Sequence, residues 1–149
     1  MPTLLKEKPV QLNATRTSIA DVPVSTFKGK RVLIRVDYNV PIIDGKIIDD
    51  ERIVKSLPTL RFLLNAEAKI IIVSHLGRPK FEDPELSLRL ISKKLTHLLD
   101  MPIQFVTESI IDSTVAQERS KSISNGEILL LENLRYYNEE TKNDDKLAI

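Results

Sequence analysis

The chain has no cysteine, which excludes a disulfide framework, a thiolate nucleophile and a cysteine-based zinc site. It also has no excess of one charge: 22 Lys and Arg face 21 Asp and Glu, leaving a net +1. Without a broad basic field, nucleic acid and anionic membrane are not expected partners, and any anion site has to be local. No stretch reaches the roughly 20 consecutive apolar residues that span a bilayer. Residues 1–8 carry Glu7 and no apolar run of signal-peptide length. Together these absences predict a soluble, cytoplasmic protein in a reducing compartment. Asn13-Ala14-Thr15 matches the glycosylation sequon, but without a secretory signal the match reads as chance. Gly29-Lys30 lacks the upstream glycine and the following Ser or Thr of a Walker phosphate loop. Internal repeats and low-complexity tracts are missing too.

What is present fits one domain: 149 residues with 42% hydrophobic content suffice for one core and not for two. Residues 1–26 mix Pro, Thr, Ser and charges without periodicity and read as an irregular N-terminal arm. From Phe27 onward, apolar runs of strand length occupy residues 32–36, 70–73, 103–106 and 128–131. Continuous apolarity predicts strands buried on both faces, the habit of parallel sheets covered by helices. Leu57, Leu60, Leu63 and Leu64 mark one helix, which Pro58 either kinks or starts. Leu88, Ile91, Leu95, Leu98 and Leu99 mark a second, with Ser87 placed to cap it. A weaker third falls around residues 113–121, before Asn125-Gly126. Residues 42–48 read as a small hairpin around Asp44-Gly45.

In open α/β sheets, ligands sit beyond the carboxyl ends of the strands. Three of these ends run into polar segments: Asp37-Tyr38-Asn39-Val40-Pro41, Ser74-His75-Leu76-Gly77-Arg78-Pro79 and Glu132-Asn133-Leu134-Arg135-Tyr136. Arg52 follows the hairpin at the start of the first helix. Arginine's fork suits bidentate contact with phosphate or carboxylate and stays charged at any working pH. An aspartate amid such donors suits a hydroxyl of a sugar-like or hydroxy acid. Gly77 would admit close backbone approach to a ligand. Each residue also has a plainer reading: Asp37 and Asn39 as turn formers, His75 as a structural histidine, Arg78 and Arg135 as surface ion pairs. Arg35, inside the first strand, reads as a structural ion pair or an edge residue. Asp49 and Asp50 read as helix caps, and residues 139–146 as solvated surface.

Arg31-Val32-Leu33-Ile34-Arg35-Val36-Asp37-Tyr38-Asn39-Val40-Pro41 resembles the signature of the phosphoglycerate kinases. Ser74-His75-Leu76-Gly77-Arg78-Pro79 and Leu131-Glu132-Asn133-Leu134-Arg135-Tyr136 resemble two further motifs of that family in the same order, and Asp49-Asp50-Glu51-Arg52-Ile53 resembles the start of its first helix. The resemblance, from Thr17 to about Leu147, implies a three-layer, Rossmann-like α/β domain holding four of the family's six N-domain strands. It implies reversible phosphoryl transfer between 1,3-bisphosphoglycerate and ADP, giving 3-phosphoglycerate and ATP, in glycolysis. Residues 27–149 would be part of the 3-phosphoglycerate-binding domain, with the C-terminal nucleotide-binding domain, and its Mg-ATP or Mg-ADP, outside this sequence. The resemblance makes Arg52 catalytic, gives Asp37 the C2 hydroxyl, and gives Asn39, His75, Arg78 and Arg135 the 3-phosphate. Val36, Tyr38, Ser74, Gly77 and Leu134 complete the expected substrate-binding set. Tyr38 stands where the family more often has Phe or Leu. A monomer is expected of the full-length family. The rival expectations are a phosphate-metabolite binding module without catalysis, and an inactive fragment.

Overall fold

The structure is a computed structural model that describes residues 17–108, 114–137, 140 and 142. Two sheets are present among them. The larger is four-stranded and wholly parallel, in the order β1 (Arg31–Arg35), β4 (Lys69–Val73), β6 (Ile128–Leu131), β5 (Gln104–Val106). The smaller is the expected hairpin, β2 (Ile42–Ile43) against β3 (Lys46–Ile47). Asp44 and Gly45 both take positive φ, 49° and 69°, the conformation a two-residue turn of matching twist demands. The register pairs Leu33 with Ile71 and Ile71 with Leu129, so these three share one face. Their neighbours Ile70, Ile72, Ile128 and Leu130 share the other.

Helices α1 (Glu51–Asn65) and α2 (Arg89–Leu99) cover that second face. Ile53, Leu60 and Leu63 from α1 and Ile91 and Leu95 from α2 pack with Ile70, Ile72, Ile128 and Leu130 into the main core. At about 25 cal/mol per Å² of apolar surface removed from water, such burial dominates the stabilisation. Helix α1 runs unbroken through Pro58, so this residue lies in its interior and does not start it. Asp49 caps α1 by accepting from the Glu51 N–H at 2.9 Å, whereas Asp50 instead pairs with Lys94 of α2 at 2.7 Å. Ser87 accepts from the Arg89 N–H, as expected of a cap for α2.

The short helix α3 (Val115–Ser122) lies on the first face, where Ala116 and Ile123 pack with Ile71, Val106 and Leu129. Ser113, the expected start of this helix, lies outside the described residues. Burial on both faces therefore holds for β4 and β6 but fails for β1, where Leu33 is 66% exposed. The reason is the position of α3: its partners come from β4, β5 and β6, and none comes from β1. Within residues 17–26, two single turns of 3-10 helix form, and Ile19 packs on the main core. No helix among the described residues is long and apolar enough to cross a membrane.

Candidate functional site

The parallel order sets the carboxyl ends of β1, β4 and β6 side by side, so the three polar segments after them meet at one edge. Buried side chains bind them together. Ser74, with no exposed surface, donates its hydroxyl to the Val36 carbonyl at 2.8 Å and accepts from the Tyr38 N–H at 3.0 Å. Its carbonyl accepts from the Leu134 N–H. Asn133 is equally buried; its Oδ1 accepts from the N–H groups of Leu76 and Arg135, and its Nδ2 donates to the Leu76 and Leu86 carbonyls. Glu132, 5% exposed, accepts from the Leu88 N–H at the start of α2, from the Ser87 hydroxyl and from the Asn133 N–H. A buried carboxylate needs hydrogen-bond donors on both oxygens, and here three donors serve them.

Tyr38, Ser74 and Leu134, expected among substrate-binding residues, thus stand behind the edge: they are 0%, 0% and 4% exposed. The Tyr38 ring packs in the main core and its hydroxyl meets that of Ser56 on α1 at 2.8 Å. Burial pushes the Tyr38 phenol up to about 12. Val36 takes part through its backbone, donating to the Val73 carbonyl and accepting from Ser74. Tyr136 donates its hydroxyl to the Asp83 carbonyl and fastens the third segment to the loop before α2.

A more exposed fringe stands in front of this frame. Asp37 uses one oxygen for the Asn39 N–H, the turn its residue type favours, and the other for the Arg52 guanidinium at 2.5 Å. Desolvation, the largest single influence, raises the Asp37 pKa, but the Asn39 N–H, the Arg52 hydrogen bond and nearby positive charge together outweigh it and hold the carboxyl below its usual range. Asn39 Oδ1 accepts from the Gly77 N–H at 2.9 Å, and Arg135 donates to the Gly77 carbonyl at 3.1 Å. Gly77 has φ +61°, and a Cβ there would come within 2.9 Å of a Leu86 methyl, so backbone conformation and packing both require glycine. Arg78 is exposed and makes no hydrogen bond or ion pair among the described residues.

His75 lies at the centre. Its Nδ1 is buried without a partner among the described residues. Desolvation first, then the charge of Arg135, pushes the His75 pKa below 6.5; Asp37 and Glu140 oppose this and Arg35 adds to it. The imidazole is therefore neutral near pH 7 with cations close by. A cleft of about 460 Å³ flanks the edge, touching Asn39 and Gly77 and running toward the hairpin, but none of the arginines lines it. Arg52 and Arg78 stand on exposed surface, and Arg135 is partly buried against the Gly77 carbonyl. Among the described residues, no group of three or more His, Asp or Glu side chains could hold a metal ion.

Three residues carry more here than their plain sequence reading allowed. Glu132 and Asn133 are the buried frame, signalled only by two polar residues placed directly after a fully apolar strand. Glu140, read as solvated surface, has a side chain only 9% exposed and pairs with Arg35 at 2.5 Å. Arg35 is thus the ion-pairing edge residue expected of it.

A sequence model of the family described as phosphoglycerate kinase matches residues 19–149. Phosphoglycerate kinase of Clostridium kluyveri is 43% identical over 134 residues, covering 89% of this chain and 33% of that protein. The Thermosipho africanus enzyme is 47% identical over 123 residues, covering 82% and 30%. Among solved structures, phosphoglycerate kinase from Coxiella burnetii aligns with a TM-score of 0.75 at 32% identity, over 89% of this chain and 31% of that one. The Pyrococcus horikoshii enzyme gives 0.69 at 39% identity, over 76% and 27%. The chain spans about a third of the length of the curated relatives it matches.

Proposed function

Because this chain belongs to the phosphoglycerate kinase family, we propose that it supplies the glycerate-binding part of reversible phosphoryl transfer between 1,3-bisphosphoglycerate and ADP. The reading places it in the cytoplasm, in glycolysis. One observation carries it: at the carboxyl edge of a parallel sheet Asp37 and Arg135 both act on His75, Arg52 at the start of α1 bonds Asp37, and the loops there are fixed from behind.

Asp37 accepts the C2 hydroxyl of 3-phosphoglycerate. Its two oxygens offer about four lone-pair sites, so a third donor fits without breaking the bonds to Asn39 and Arg52. Asn39, His75, Arg78 and Arg135 take the 3-phosphate; Arg78 and most of the Arg135 fork have donors to give. Arg52 uses one of its N–H groups on Asp37 and directs others at the transferring phosphoryl group. In the forward direction, a non-bridging β-phosphate oxygen of ADP bonds to the phosphorus of the acyl phosphate as that phosphorus parts from the glycerate carboxylate. The charge spreads over the three equatorial oxygens, and fixed cationic donors are what such a transition state needs. No protein acid, base or nucleophile is required. Magnesium shields the nucleotide's phosphates when bound, and no described residue is assigned to holding it.

Amide shifts of the isotope-labelled chain during titration with 3-phosphoglycerate test this reading, with Mg-ADP as the control ligand. Shifts at Asn39, His75, Arg78 and Arg135 with the glycerate alone are expected. A dispersed spectrum that ignores 3-phosphoglycerate would remove the binding site assigned here.

A further inference from the structure

Glu140 lies between two arginines brought together from distant parts of the chain. Arg35 comes from the end of β1 and bonds Glu140 Oε1 through Nη2 at 2.5 Å, while Arg135 Nε approaches Oε2 at 3.8 Å. Both arginines, with Asp37 and Glu140, act electrostatically on His75, so this carboxylate belongs to the same charged cluster as the residues assigned to the substrate phosphate. We propose that Glu140 is a built-in counter-anion, anchored on Arg35 and competing with the incoming phosphate for Arg135, so that it lowers the affinity of the site for anions. The inference rests on the reading of the site given above.

The two distances argue for a competitor over a scaffold. At 2.5 Å the Arg35 contact is a charge-assisted hydrogen bond, and Arg35 has no assigned ligand role. At 3.8 Å the Arg135 contact lies beyond hydrogen-bond reach, so it is Coulombic only and leaves that guanidinium's orientation to the Gly77 carbonyl. An anion arriving at Arg135 therefore breaks no hydrogen bond to Glu140 but must overcome its charge. A monoanionic carboxylate offers Arg135 little that Glu140 does not already give. A phosphate dianion offers more charge and three acceptor oxygens in place of two. At 9% side-chain exposure, Glu140 is weakly screened by solvent, which strengthens the competition.

The test compares the chain with its Glu140→Gln and Arg35→Met variants by amide-shift titration with 3-phosphoglycerate, inorganic phosphate and glycerate. Glu140→Gln should tighten 3-phosphoglycerate about twofold to fivefold, the range of a partly exposed ion pair, and should tighten glycerate by no more than that. Arg35→Met releases the carboxylate onto Arg135 and should weaken 3-phosphoglycerate, and the double variant should bind as Glu140→Gln does. Unchanged or weaker binding by a well-dispersed Glu140→Gln overturns the competitor role, and so does loss of the folded spectrum, which would make Glu140 a scaffold. If neither the parent chain nor Glu140→Gln responds to any of the three anions, the site reading itself falls, a result distinguishable from equal binding by both.

Discussion

Asp37 and Glu132 are carboxylates at the same edge of the sheet, just beyond β1 and β6, yet they do opposite work. Glu132 is 5% exposed and its oxygens are served by the Leu88 and Asn133 N–H groups and the Ser87 hydroxyl. The Asp37 side chain is 56% exposed, shares its charge with one guanidinium and keeps acceptor capacity. The difference divides the whole edge. Behind it, Ser74, Glu132 and Asn133 spend their polar groups on backbone and on the Ser87 hydroxyl and fix where the loops lie. In front, Asp37, Asn39, Arg52, Arg78 and Arg135 keep groups to spend on a ligand. Substitutions behind should cost stability first, and substitutions in front should cost affinity first.

The largest expected effect is at Asn133. Replacement by Leu removes four hydrogen bonds and strands backbone groups of Leu76, Leu86 and Arg135 in a buried setting. At about 1–3 kcal/mol per unsatisfied buried group, with partial relaxation, a loss of about 3 kcal/mol is expected in urea unfolding. A loss below about 1 kcal/mol would dissolve the distinction between frame and fringe. Arg135→Met should show the reverse pattern. Losing a charge-assisted contact to phosphate weakens 3-phosphoglycerate about tenfold to a hundredfold, or about 1.4–3 kcal/mol, while the unfolding midpoint stays nearly fixed. Tyr38→Phe sharpens the boundary, since Tyr38 adjoins two residues of the exposed fringe in sequence. Deleting its hydroxyl breaks the contact with Ser56 and should cost about 1 kcal/mol of stability with no change in affinity. A matched drop in affinity would return Tyr38 to the ligand-facing set.

The same division explains what could be read from the sequence. Strands and the first two helices were legible because apolar runs and 3.6-residue spacing report burial directly, and the Asp44-Gly45 turn because positive φ restricts residue choice. The cluster of Asp37, Arg52, His75 and Arg135 was legible because strand ends predict where loops gather. The exposed face of β1 was not: Leu33 is apolar like its neighbours, and only the placement of α3 over β4, β5 and β6 leaves it uncovered. Nor was the division between Asp37 and Glu132, since both are acids after apolar strands. Which one is buried depends on whether a helix N-terminus arrives to meet it, a tertiary fact carried by Leu88. Glu140 was hidden for the same reason, its partner Arg35 lying 105 residues earlier.

The smallest expected effect concerns pH and tests the fringe at its centre. Desolvation and the charge of Arg135 hold the His75 pKa below 6.5 in the folded chain, with Arg35 adding to this and Asp37 and Glu140 opposing it. The unfolded chain therefore binds a proton first, so stability contributed by neutral His75 is complete above about pH 6.5 and is lost as pH falls through the folded value. Asp37, whose pKa is also lowered, contributes its own loss only below the ordinary carboxylate value of 3.8, so that loss begins at lower pH than the one from His75. A bound phosphate dianion reverses the local sign: it favours the imidazolium, and binding then takes up a proton. Affinity for 3-phosphoglycerate should rise as pH falls from about 8 toward 6.5, until the phosphate's own ionisation near ~6 withdraws its charge. Calorimetric titration in two buffers of different ionisation heat reads that proton uptake, and His75→Gln should abolish it while leaving the effect of Arg135→Met intact. Proton uptake that survives in His75→Gln would move the titrating group elsewhere and leave the imidazole to the frame.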